Sequence, residues 1–287
     1  RGKDRKVING SETSFTFEPV GIFTSFAIDT AINFIKKYRF DSALELLEGI
    51  NKGLLTDEEK ALVENLRYLI RAYNYWDKFD HIKFSTNYDK VKFNHPDLQQ
   101  FKIKDKTKAH VNTIGEKLKD KQISDLAIAD LVNNAKRRYE EGKYDDAVAR
   151  LYRTVEMLAQ WRLKTEYNQD SANITLDDLP QKTREWIIKS CKDGKIQIGL
   201  QACYQLLADL EHPLGKEFES DEKLKGLLRT RNDSILAHGI KPIEKSTCEE
   251  LIQVIINYCK KYIPDFNKLL CELEFPWQCK QNPSQPY

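Results

Sequence analysis

The 287-residue sequence has no run approaching the roughly 20 apolar residues that a membrane-spanning helix needs, and no signal-peptide pattern is visible. An excess of one charge is missing too. The net charge of +2 is the small difference between 46 basic and 44 acidic residues, so a surface coated in positive potential is excluded and any nucleic-acid contact has to be local. A glycine-rich phosphate loop, a Gly-x-Ser-x-Gly elbow and a His-Glu-x-x-His pair are all absent, which removes the corresponding nucleotide, hydrolase and metalloprotease chemistries. Cys-x-x-Cys is missing as well. The six cysteines (191, 203, 248, 259, 271 and 279) and five histidines offer no zinc-ligand spacing, so neither a metal nor a cofactor is expected. Cys203 and Cys259 sit inside helix-like apolar runs, and the cysteines read as buried free thiols of a reducing, cytoplasmic compartment. Methionine is nearly lacking: Met157 stands alone and position 1 is Arg1, so a further N-terminal segment is expected.

What the sequence does hold is a core. Hydrophobic residues at 40% and aromatics at 10% suffice for one large or two ordinary domains. Residues 1–20 carry an Asn-Gly turn signal ahead of the β-prone "TSFTF", and read as a short β remnant with no sheet of its own. From Gly21 onward the signal is helical. Ala27, Ala31, Ile35 and Tyr38 repeat at helical spacing, and "DSALELLEGI" follows as a second helix. Thr56 and Glu59 form a capping box ahead of the stripe Leu62, Leu66, Leu69, Tyr73 and Trp76. Periodicity fades over residues 80–123, and the lysine-rich part at 102–123 reads as a solvated face or loop.

A helical hairpin is then predicted, with Gly142 ending its first helix and Asp145 or Asp146 starting the second, which turns Ala147, Leu151, Val155 and Leu158 toward the core. Further helices come after it: one stopping near His212-Pro213, one ending at Gly239, and a last pair broken at Pro264. The expected fold is all-α, divided into the β remnant at 1–20, a helical region with a loop-rich segment at 21–124, and a multi-helix domain at 125–287. "YRFDSALELL" and "EGKYDDAVARL" share an aromatic-Asp-x-Ala-x-x-x-Leu pattern, but two copies are too few for a repeat array.

The chemistry concentrates in "RNDSILAHG", Arg231 to Gly239. Seven residues make almost two helical turns, so Arg231, Ser234 and His238 share one face, beside Ile235 and Leu236. The pairs Asp145-Asp146 and Asp177-Asp178 read as helix-start carboxylates, and His81, His95, His110 and His212, without recognisable partners, read as structural. Arginine offers a fixed fork of donors to phosphoryl oxygens, and histidine titrates near neutrality and can give or take a proton.

The arginine, the polar Asn232 after it, a six-residue spacer and a histidine flanked by Ala237 and Gly239 resemble the signature of HEPN ribonucleases. The stretches "KRRYEEGKYDDAVARLYRTVEMLAQWRL", "EHPLGKEF" and "RNDSILAHGIKPI" extend the likeness over about 125–275, to the C-terminal half of CARF–HEPN proteins of type III CRISPR systems. Residues 1–20 are similar to the last strands of a CARF domain. The resemblance implies a cytoplasmic, metal-independent endoribonuclease that cleaves single-stranded RNA by 2′-hydroxyl attack and acts as a homodimer in antiviral defence. It also implies switching by a cyclic oligoadenylate bound to the CARF domain. Arg231, His238 and Asn232 would then be catalytic, and Ser234 a substrate-binding residue chosen for its place on the stripe. One helix sets Arg231 and His238 about 10 Å apart along its axis, and a twofold dimer would duplicate the set across an isologous contact. The alternative is a non-catalytic helical interaction scaffold, in which Arg231 and His238 pair with acids inside one subunit.

Overall fold

The computed structural model describes residues 19–177, 179–190, 196–232 and 241–278. In chain order the helices are α1 (Pro19–Lys36), α2 (Phe40–Glu48), α3 (Asp57–Asp77), α4 (His81–Tyr88), α5 (Pro96–Gln99), α6 (Asp105–Lys119), α7 (Asp125–Glu140) and α8 (Tyr144–Tyr167). They continue as α9 (Gln181–Ser190), α10 (Leu200–Asp209), α11 (Pro213–Ser220), α12 (Glu222–Asn232), α13 (Lys245–Tyr262) and α14 (Phe266–Glu272). Among the described residues there is no strand, and Asp170 and Asn173 form an isolated β-bridge. The fold is all-α. No helix of the described residues is long and apolar enough to cross a membrane.

Local chemistry explains the best-formed elements. The Thr56 side chain accepts the Glu59 N–H at 3.2 Å and the Glu59 carboxylate accepts the Thr56 N–H at 2.8 Å, which closes the start of α3. A cap of this kind contributes about 1 kcal/mol. Behind it Leu66, Leu69, Tyr73 and Trp76 are wholly buried, and Leu62 nearly so. At the α7–α8 hairpin Gly142 takes a φ of 74°, a left-handed turn that glycine adopts without Cβ strain. Ala147, Leu151, Val155 and Leu158 then point inward with no exposed surface.

Four expectations shift. Helix α1 starts at Pro19, so the last two residues of the 1–20 remnant are helical, and the rest of that remnant lies outside the described residues. The 102–123 segment is largely helix α6, a solvated helix face and not a loop, with Thr107, Val111, Ile114 and Gly115 buried beneath its lysines. Asp145 and Asp146 do stand at a helix start, in the first turn of α8 behind the N-cap Lys143, whereas Asp177 precedes α9 by several residues and is not at its start. Among the cysteines, Cys203, Cys248 and Cys259 are buried free thiols as expected, whereas the free Cys271 is exposed, on the solvent side of the short α14. Cys191 and Cys279 lie outside the described residues.

The interior is one continuous hydrophobic cluster that passes from α1–α6 into α7–α14 without a break. Its densest part is aromatic. Phe275, just past α14, stands 5.0 Å from the Tyr73 ring and 4.9 Å from the Trp76 ring, both edge-on, an arrangement that such rings favour. The hairpin α7–α8 is the scaffold of the C-terminal half, and α10, α12 and α13 all pack against α8.

Candidate functional site

Helix α12 ends at Arg231 and Asn232, with Arg229 two residues before Arg231, so its last turn places positive charge where the helix dipole is negative. Arg231 is half-buried, and its guanidinium carbon lies 5.1 Å from the centroid of the Tyr152 ring on α8. That is within cation–π range. Burial pushes the Tyr152 phenol up from its ordinary value, Glu156 adds to this and the Arg231 charge opposes it, so the ring meets the cation as a neutral phenol. Of the other residues expected in the site, Asn232 is placed only through its backbone, and Ser234 and His238 lie outside the described residues.

The chain returns on the same helix. Beyond the segment 233–240, the backbone N–H of Ile243 donates to Asp145 Oδ2 at 3.3 Å, and the Ile243 side chain is buried. The other carboxylate oxygen, Oδ1, is itself buried and has no hydrogen-bond partner among the described residues. Close by, Cys248 is wholly buried, and burial, with help from the Asp145 charge, pushes its thiol up to about 12, which makes it inert at neutral pH.

Tyr152 and Asp145 do not stand out as site residues in the sequence. A faint signal exists for each: Tyr152 stands beside, not on, the core stripe of α8, and Asp145 sits seven residues before it on the same helix. Their partners are far away in sequence, and nothing local announces them.

The four remaining histidines are accounted for as structural. His81 Nε2 lies 2.7 Å from Asp130 Oδ2, both side chains being fully buried. His95 and His212 accept backbone N–H groups at the starts of α5 and α11, and His212 Nε2 also meets Glu166 at 3.0 Å. His110 Nε2 is 3.0 Å from Glu272. Among the described residues no group of three or more His, Cys, Asp or Glu side chains could hold a metal ion.

Fold and site together define an all-α domain built on a helical hairpin, with an arginine at the end of a helix packed against that hairpin. The family model of the Csm6 HEPN domain matches residues 116–262, from the end of α6 through α13, and the chain belongs to that family. No curated protein matches the sequence. Family membership points to ribonuclease-type chemistry on RNA in a CRISPR setting.

Proposed function

We propose that the chain is a metal-independent endoribonuclease of single-stranded RNA, in which the 2′-hydroxyl loses its proton and attacks the adjacent phosphorus, the bond to the 5′-oxygen breaks, and the products are a 2′,3′-cyclic phosphate and a 5′-hydroxyl. The observation that carries this reading is the family match over residues 116–262, which contains the whole Arg231–His238 motif, together with the half-buried Arg231 at the end of α12. Arg231 supplies a planar fork of donors for the charge that builds on the phosphoryl oxygens. His238 supplies a group that titrates near neutrality for proton transfer to or from the reacting oxygens. Asn232 orients the ribose or a water, and Ser234 contacts the substrate.

The two-turn spacing between arginine and histidine favours a homodimer in which two copies of the motif face one cleft across a twofold axis. In this reading residues 125–287 form the HEPN unit, residues 21–124 are the helical region ahead of it, and a cyclic oligoadenylate acting through a CARF domain controls the antiviral activity in the cytoplasm.

The test is cleavage of a fluorogenic RNA in EDTA by the wild type, Arg231→Ala, Arg231→Lys and His238→Ala, with melting temperatures measured on the same samples. Either alanine should lower the rate by about two orders of magnitude or more at nearly constant melting temperature. Lysine should not restore activity, because an ammonium cannot reproduce the guanidinium fork. A requirement for added Mg²⁺ or Mn²⁺ would overturn the mechanism. An inactive wild type whose alanine variants also melt early would point to the helical scaffold instead.

A further inference from the structure

Helix α8 holds the chain on both sides of the segment 233–240. On the entry side, the Arg231 guanidinium rests 5.1 Å from the Tyr152 ring centroid. On the exit side, Asp145 Oδ2 accepts the Ile243 N–H at 3.3 Å. Asp145 and Tyr152 are seven residues apart on α8, which makes almost two turns. They therefore lie on one face of the helix, about 10 Å apart along its axis.

The anchor on the exit side is a single backbone-to-carboxylate hydrogen bond. Asp145 occupies the first turn of α8, where the helix dipole favours an anion. Its Oδ1 is shielded from water, and Ile243 is buried beside it. A neutral side chain unable to accept a hydrogen bond would leave the Ile243 N–H without a partner, a loss that a buried backbone donor does not readily bear. The neighbouring Asp146 does a different job: its carboxylate faces outward and pairs with Arg150 at 3.0 Å.

We propose that Asp145 is a positioning residue for RNA cleavage: it fixes the chain five residues beyond His238, while Tyr152 fixes Arg231, so that α8 sets the reach between the two. This rests on the ribonuclease reading. Its consequence is kinetic, because a displacement of about 1 Å in a reacting group can cost on the order of 100-fold in rate without altering substrate affinity.

The experiment compares the wild type, Asp145→Ala, Asp145→Asn and the control Asp146→Ala. It reads kcat and KM for RNA cleavage, and hydrogen exchange at the Ile243 amide. Asp145→Ala should lower kcat roughly 10- to 100-fold with KM within about twofold, and should release the Ile243 amide to fast exchange. Asp145→Asn, whose amide oxygen can accept the same N–H, should keep that amide protected and recover most of kcat. Asp146→Ala should match the wild type in both readouts. An active wild type whose Asp145→Ala variant keeps kcat within twofold, or keeps Ile243 protected, overturns the positioning role and leaves the ribonuclease reading standing. A loss of kcat in Asp145→Asn equal to that in Asp145→Ala, with Ile243 still protected, overturns it as well. A wild type that cleaves no RNA overturns both.

Discussion

Asp77, the last residue of α3, is a buried carboxylate surrounded by donors. Its Oδ1 takes Arg137 Nε at 2.8 Å and Asn134 Nδ2 at 3.3 Å, and its Oδ2 takes the Arg138 guanidinium. Arg137 is wholly buried, with its guanidinium carbon 4.0 Å from the centre of the Phe275 ring, so the Asp77 carboxylate and the ring face together compensate a charge removed from water. Removing only the acid strands that charge. Asp77→Ala should therefore cost about 3–5 kcal/mol, read as a lowered urea midpoint at unchanged m-value. A loss under about 1 kcal/mol would show that the ring and neighbouring groups hold Arg137 without the acid. This is also the scale on which the sequence said least. His81 was legible as structural, but its partner Asp130 comes 49 residues later on another helix, and Asp130 also accepts Trp76 Nε1 at 3.0 Å. No local spacing encodes such a pair, because it forms only when α3, α4 and α7 pack. The contacts of Arg231 with Tyr152 and of Asp145 with Ile243 were hidden for the same reason.

At the scale of elements, legibility tracks periodicity. The stripes of α3 and α8 are made of large apolar residues and could be read directly, as could the capping box of α3 and the glycine turn at residue 142. Helix α6 could not, because Thr107 and Gly115 occupy half of its buried positions and register on no hydrophobicity count. Its glycine is there for closeness: a Cβ at Gly115 would stand 3.2 Å from His81 Cβ. Among the described residues the tightest such approach joins α10 and α11. A Cβ on Gly215 would fall 2.2 Å from the Ala208 nitrogen and 2.6 Å from the Leu207 carbonyl carbon, both backbone atoms that cannot step aside. Gly215→Ala should force the two helices apart and destabilise by about 2 kcal/mol or more. Gly226 makes the opposite case, since nothing lies within 4 Å of a Cβ there and it sits inside α12. Gly226→Ala should stabilise by about 0.5–1 kcal/mol through its helix preference alone. Urea unfolding of the two variants checks both signs. An equal response would mean that the α10–α11 contact is not a tight one.

On the scale of the whole molecule, the chain's last described stretch closes the structure by returning to the first helices. Phe275 and Trp277 enter the aromatic cluster of α3, and Asn133 on α7 donates to the Leu270 carbonyl at 2.8 Å. On the outside of this closure Glu272 ties α14 to α6. Its carboxylate meets Lys106 Nζ at 2.5 Å and His110 Nε2 at 3.0 Å, while its backbone carbonyl accepts the Thr107 hydroxyl at 2.8 Å. The hydrogen bond from Lys106 holds the Glu272 carboxyl below its ordinary value of 4.5, and the bond from His110 adds to this against an upward pull from burial. A carboxyl whose pKa is lower in the folded than in the unfolded chain binds fewer protons when folded. The stabilisation it brings is fully present above the unfolded value and is lost as pH falls through the folded one. Glu272→Gln should thus be less stable than the wild type at pH 7, and the gap should shrink as pH falls from about 5 toward 3, where the wild-type carboxyl becomes neutral as well. Salt should narrow the gap at neutral pH, because Lys106 is half-exposed and its charge is screened. Urea midpoints of the two proteins across that pH range measure the effect. A gap that stays constant would mean that the ion pair adds nothing and that the Thr107 bond and the aromatic cluster hold α14 in place by themselves.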